Sequence, residues 1–224
     1  MISKFSVCSY VAYTATPFAN VLIDSSSDDD LFPKDFLITL DKPVGYVGAE
    51  ELFGRESIEP RGALDGLPVI RTIPDDDSLQ YVTGKKTKNE ERNQLTQSVL
   101  QAIDSFVVGC SIRLCRGQWN QHMTMLIHTS HVVSQHEQFK EQVEEYLLNM
   151  KLEREEEDEA LKARFKELCG SDFFKISKSL KAEDLFEFDL VWKNSKKFID
   201  RLIVVMENHT SEERLSYSST DPLS

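Results

Sequence analysis

Between residues 88 and 206, stretches of helical period alternate with short apolar runs, and that alternation limits the folds open to the chain. The clearest helical stretch carries Leu95, Val99, Ala102, Ile103, Phe106 and Cys110, which recur three and four apart and make one apolar face. Thr87 and Glu90 stand at capping-box spacing, so a helix is expected to open there and to end near Arg113–Gly117. Met123–Ser130 is too short for a helix and reads as a buried strand. Ser134 with Glu137 repeats the capping spacing ahead of a second stripe, Phe139, Val143, Tyr146, Leu147 and Met150. The acidic run Glu153–Glu159 reads as a solvated face or a joint between helices. Leu161, Phe165 and Leu168 then carry the helix to a cap at Gly170. Residues 171–199 stay open: Phe186, Phe188, Leu190 and Trp192 alternate like a strand, while Glu183–Leu185 fits a helix start. Leu202–Met206 is a further expected strand. Helix, strand, helix, strand predicts an α/β fold, a parallel sheet with covering helices.

Upstream, the apolar run Tyr10–Tyr13 reads as a buried strand. It breaks at the turn Thr14-Ala15-Thr16-Pro17 and resumes over Phe18–Ile23. Ser25–Asp30 is a polar break, and residues 31–84 collect most of the prolines and glycines in one long irregular segment. Asp75–Asp77 reads as a second, solvated turn. The expected strands end in polar turns, at Thr14–Thr16, at His128-Thr129-Ser130 and at Asn208–Ser211. Loops at the carboxyl ends of strands are where open α/β sheets bind ligands.

Several classes of function are disfavoured. A net charge of −12 argues against a chain coated in nucleic acid or lying on an anionic membrane, though it leaves room for a local basic groove. No membrane partner is expected, because no apolar run reads as a span and the first residues lack the pattern of a signal peptide. Cys8, Cys110, Cys115 and Cys169 lack CxxC spacing and read as reduced thiols of a cytoplasmic protein. No GxxxxGK[ST] loop is present; Gly84-Lys85 runs into Lys-Thr-Lys rather than an apolar helix. His122, His128, His131, His136 and His209 lack the framing ligands of a metal site, so none is expected. No catalytic residue can be named. Lys85, Lys86 and Lys88 form one small basic cluster, and Lys193, Lys196, Lys197 and Arg201 another; phosphate contact and surface solubility explain them equally. Arg113 and Arg116 close an apolar helix beside Gly117 and Trp119, which suits either an anion or the helix's own negative end.

Taken in order, Tyr13–Asn20, Leu31–Phe36, Pro43–Gly48, Ala102–Phe106, Arg113–Gly117 and His122–Ser130 resemble one family over most of residues 8–217. It is the Z-one domain, a bacterial domain labelled an endonuclease and associated with superfamily 2 helicase-like ATPases. The resemblance implies that residues 1–24 end a first RecA-like lobe, 25–86 form an irregular insertion, 87–217 make a partial second lobe, and 218–224 a flexible tail. It implies that Thr14 and Thr16 couple nucleotide state to strand binding. His128, Thr129 and Ser130, with Arg113 and Arg116 nearby, would touch a nucleic-acid backbone. DNA would be the substrate, in restriction or phage defence, with ATP and Mg bound only in the intact protein. The family's nucleotide-binding loop and arginine-bearing helix are not found here. The chain is therefore expected to be a fragment, silent alone and dependent on a missing ATPase lobe or a partner subunit. The alternative expectation is a non-enzymatic binding module that docks on a partner ATPase through Glu153–Glu159. DNA cleavage by the chain itself has least support, since no metal–carboxylate set is visible.

Overall fold

The computed structural model describes residues 9–16, 18, 22–23, 32, 35–81, 94–128, 133–180, 186–209, 211 and 214–217. The chain divides into two units, Met1–Val47 and Gly48–Ser224. In the first, the backbone N–H of Thr16 donates to Thr14 Oγ1 at 3.0 Å, a short hydroxyl-closed turn. The expected buried strand before it is not observed. Tyr10 and Val11 are about half exposed and Tyr13 is 92% exposed. No backbone partner pairs with Tyr10–Tyr13 among the described residues, so nothing there holds the run as a strand.

The second unit is helical. Its elements are α1 (Ala49–Phe53), α2 (Asp75–Ser78), α3 (Gln97–Cys115), α4 (Val133–Glu155), α5 (Glu159–Leu168), a π-helical turn (Cys169–Phe174), α6 (Lys175–Ser179) and α7 (Phe188–Ile199). After α1, two isolated antiparallel bridges, Arg55 with Leu64 and Ile58 with Arg61, fold a small loop back on itself. Gly54 (φ 78°) sits where a Cβ would lie 2.5 Å from the Leu64 carbonyl oxygen, so the return is open only to glycine.

α3 is the axis of the core. Val99, Ile103, Val107, Val108, Cys110, Ile112 and Leu114 are buried. An 18-residue window of it has a mean hydropathy of 1.4, enough by length and composition to cross a membrane, and half of that window is buried inside the protein. α7 runs antiparallel along it: the Phe106 and Phe198 rings meet edge-on at 5.6 Å, and Asn194 Nδ2 reaches Cys115 Sγ at 3.4 Å. Gly109 admits the Phe173 ring, whose Cε1 would stand 3.1 Å from a Cβ there. Phe165, fully buried on α5, meets the Trp192 ring at 5.9 Å.

α3 begins at Gln97, not at the spacing Thr87–Glu90, and residues 82–93 lie outside the described set. Its opening N–H groups find a partner from α2. The Ser98 N–H donates to Asp77 Oδ2 at 2.9 Å, and the Thr96 N–H donates to the Tyr81 hydroxyl at 3.1 Å. The Ser98 side chain and N–H hold the Asp77 carboxyl below its ordinary range. Asp75–Asp77, expected to be a mere solvated turn, thus caps the main helix across 21 residues.

The acidic joint falls as expected. α4 ends at Glu155, Glu157 takes a positive φ of 55°, and Asp158 Oδ1 accepts the Leu161 N–H at 2.8 Å to cap α5. Gly170 caps nothing; the helix passes through it into the π turn and on to α6. Residues 188–199 are helical, because Val191, Trp192, Ser195, Phe198 and Ile199 recur at helical spacing and are buried together.

The α/β expectation is overturned. Among the described residues no strand and no sheet occurs, so a parallel sheet resembling a RecA-like lobe is not what this chain builds. Met123–His128 and Leu202–Met206 keep a strand's alternation: Met123, Met125, Ile127, Leu202 and Val204 pack on the core, while Leu126 is 88% exposed. Among the described residues the one backbone hydrogen bond of either segment is Leu202 N–H to the Ile199 carbonyl at 3.3 Å, the last turn of α7, and none joins them to another extended segment. A ladder needs a second backbone about 4.8 Å away. Here both segments instead line a cavity of about 510 Å³, closed from the helical side by residues such as Ile103 and Phe106 of α3 and Phe139 and Val143 of α4. Alternation alone records which side is buried, not whether a strand stands beside it.

Candidate nucleic-acid interface

The C-terminal end of α3 gathers cations from two parts of the sequence. Arg113 donates through Nε to Gln118 Oε1 at 2.9 Å and through a terminal nitrogen to Gln121 Oε1 at 2.8 Å. These neutral amides orient the guanidinium and leave its charge uncancelled. Arg116, exposed at the helix end, donates to Ser177 Oγ at 3.4 Å, which brings α6 alongside. Gly117, at φ 76°, turns the chain so that Trp119 folds back toward α7. There the Lys197 ammonium stands 4.9 Å from the centre of the Trp119 ring. Lys193, Lys196 and Lys197 are all exposed on α7, with 193 and 197 one turn apart on the same face.

Of the acids around these cations two are engaged, while Asp189, one turn before Lys193, stands exposed. Asp172 pairs with Arg71 at 2.8 Å and Asp200 with Lys151 at 3.1 Å. Among the described residues no ion pair joins a carboxylate to Arg113, Arg116, Lys193 or Lys197. In a chain of net charge −12, that leaves one locally positive surface beside a partly buried indole that packs against the core.

The other expected site residues fall elsewhere. Thr14 and Thr16 belong to the first unit, where Thr14 closes the turn described above. His128 lies on the rim of the apolar cavity with His122 and His136. It is seven residues beyond Gln121, and a stretch of that length without turns spans on the order of 20 Å. Thr129 and Ser130 lie outside the described residues. The structure thus brings Arg113 and Arg116 together with the α7 lysines and places His128 apart from them.

A second polar cluster escaped the sequence reading. Asp104 is buried on α3 and accepts the Tyr146 hydroxyl at 2.7 Å and Arg164 Nε at 3.2 Å. Burial pushes the Asp104 carboxyl up, against the opposing pull of Tyr146 and Arg164. The available signal was a lone carboxylate beside the apolar stripe of α3. Arg154 is similar: it is buried over the Trp192 ring at 3.9 Å, donates to the Trp192 carbonyl at 2.7 Å, and pairs with Glu157 at 2.6 Å. Glu157 also accepts the Trp192 indole N–H at 2.8 Å. With Glu153 3.7 Å from Arg164 and Asp158 capping α5, three acids of the joint already serve the fold.

Burial raises the thiols of Cys110 and Cys169 to about 12, so neither is a nucleophile near neutral pH. Among the described residues no group of three or more His, Cys, Asp and Glu side chains is placed to hold a metal. No curated protein and no solved structure matches the chain. A family model described as the Z1 domain matches residues 98–223, which takes in α3 through α7 and every cation of the interface. That match covers more than half of the chain, and the protein therefore belongs to the Z1-domain family.

Proposed function

We propose that this chain is the DNA-engaging part of a helicase-like ATPase of the Z1 type, working in restriction or phage defence and catalytically silent by itself. The observation that carries the reading is the Z1 match over residues 98–223, which takes in the basic surface of Arg113, Arg116 and the α7 lysines. ATP and Mg would be handled by a separate lobe or partner subunit, because the sequence holds no phosphate-cradling GxxxxGK[ST] loop. His128, Thr129 and Ser130 would offer a second backbone contact away from the arginines, and Thr14 and Thr16 a link to nucleotide state. Nothing here requires a RecA-like sheet within the chain.

The test is an ATPase assay of the purified chain with single-stranded DNA, alone and with a Walker-loop protein encoded beside it. Stimulation of the partner's turnover supports the reading. Turnover by the chain alone overturns its silence, and no effect on any partner, with no DNA affinity, overturns the role. A non-enzymatic module docking through Glu153–Glu159 is the weaker second reading, since Glu153 and Glu157 are already committed within the fold.

A further inference from the structure

Four positions separated by up to 81 residues meet at one end of the core: Arg116 at the exit of α3, Trp119 in the turn behind it, and Lys193 and Lys197 on α7. Antiparallel packing of α3 and α7, fixed by Asn194 against Cys115 and Phe198 against Phe106, makes them neighbours. We propose that this surface binds single-stranded nucleic acid, with phosphates taken by Lys193, Lys197 and Arg116 and a base stacked on Trp119. The inference deepens the DNA-directed role above and rests on it.

Two observations carry it. The cations have no ion pair with a carboxylate among the described residues; Asp172 and Asp200 are each paired with another cation, and Asp189, exposed one turn before Lys193, is paired with none of them. A polyanion therefore displaces no internal ion pair when it arrives. Second, the patch contains an indole, partly buried against the core, whose one aromatic or cation–π partner among the described residues is a lysine at 4.9 Å. A cation on an aromatic face is a weak contact in water, and a base competes for the same π surface. Lys197 can exchange the ring for a phosphate while a base takes its place. An acidic polypeptide would use the lysines and leave the indole idle. A duplex keeps its bases stacked internally and offers none to Trp119. The combination of phosphate-reading cations with a stacking platform therefore selects a single strand.

The experiment titrates oligo-dT into the full chain and follows tryptophan fluorescence and anisotropy. The chain has two tryptophans, and Trp192 is buried, so quenching by a stacked base reports Trp119. Expected results are quenching that is absent in W119F, affinity lowered about tenfold or more in K193E/K197E, and a smaller salt dependence of binding in that variant alone. Lys193 and Lys197 are exposed, and unchanged circular dichroism and melting show that the variants are folded. Equal affinity for duplex, equal displacement by polyglutamate, or binding unaffected by K193E/K197E overturns this surface. If H128A weakens binding while K193E/K197E does not, the DNA role stands and this inference falls. Absence of binding to either DNA form removes both.

Discussion

The Tyr146 hydroxyl donates to Asp104 Oδ1 at 2.7 Å, tying α4 to the central helix α3 across 42 residues of sequence. Arg164 of α5 closes the group at 3.2 Å from the other carboxylate oxygen. One buried carboxylate thereby joins three helices, and its ionisation is linked to the stability of all three.

The linkage has a definite sign. Burial raises the folded-state value of Asp104 above the ordinary carboxylate value. The protonated form is thus favoured by folding. Its contribution is present at low pH and is lost as pH rises through the raised folded value. The stability advantage of wild type over D104N should therefore shrink as pH rises from about 4 to about 7. Urea unfolding at both pH values reads this; an advantage that grows with pH would contradict the assignment.

Removing the donor alone tests the geometry. Y146F leaves the ring in place and deprives Asp104 of its shortest hydrogen bond, so the fold should lose about 1–3 kcal/mol. A loss within about 0.3 kcal/mol would mean that water replaces the hydroxyl without cost.

Arg154 makes a comparable joint at the other face. R154M keeps much of the aliphatic stem over Trp192 but removes the guanidinium bonds to the buried Trp192 carbonyl and Ser195 Oγ, leaving the carbonyl with the Ser195 hydroxyl as its side-chain donor. Destabilisation of about 2–4 kcal/mol is expected, with a red shift of tryptophan emission as the indole becomes wetter. Retention of wild-type stability would show that Trp192 and Glu157 hold the joint unaided.

A pair of truncations separates core from exposed apolar surface. F165A should cost about 3–5 kcal/mol, because Phe165 is fully buried against Trp192. L126A should cost less than about 0.5 kcal/mol, because Leu126 is 88% exposed. If Leu126 stood in a covered sheet its truncation would cost several kcal/mol, so this measurement also checks the departure from the α/β expectation.

Helical period was readable along α3, α4 and α5, where an apolar face met the core, but not along α7, whose Phe188, Leu190 and Trp192 also alternate like a strand. Val99, Ile103 and Cys110 of α3, Val143 and Met150 of α4, and Leu161, Phe165 and Leu168 of α5 are buried as their spacing requires. The amphipathic pattern is a local property, written within one or two turns. The boundary of α3 was not readable, since its cap is Asp77, a residue outside the helix that no local spacing identifies.

Strand pairing and the interface were beyond the sequence for one shared reason. Both depend on what lies beside a segment in space. Met123–His128 carries the period of a strand, yet a ladder is a property of two backbones, and here helices and a cavity stand where a neighbour would be. Arg113 and Arg116 could be singled out from their place at a helix end. Their union with Trp119, Lys193 and Lys197 arises only because α7 packs antiparallel on α3. By itself, then, the sequence determined which faces are apolar, where the acidic joint falls and which residues carry charge. Tertiary packing decided which backbones stay unpaired and which charges share a surface, because those are set by contacts between residues distant in the chain.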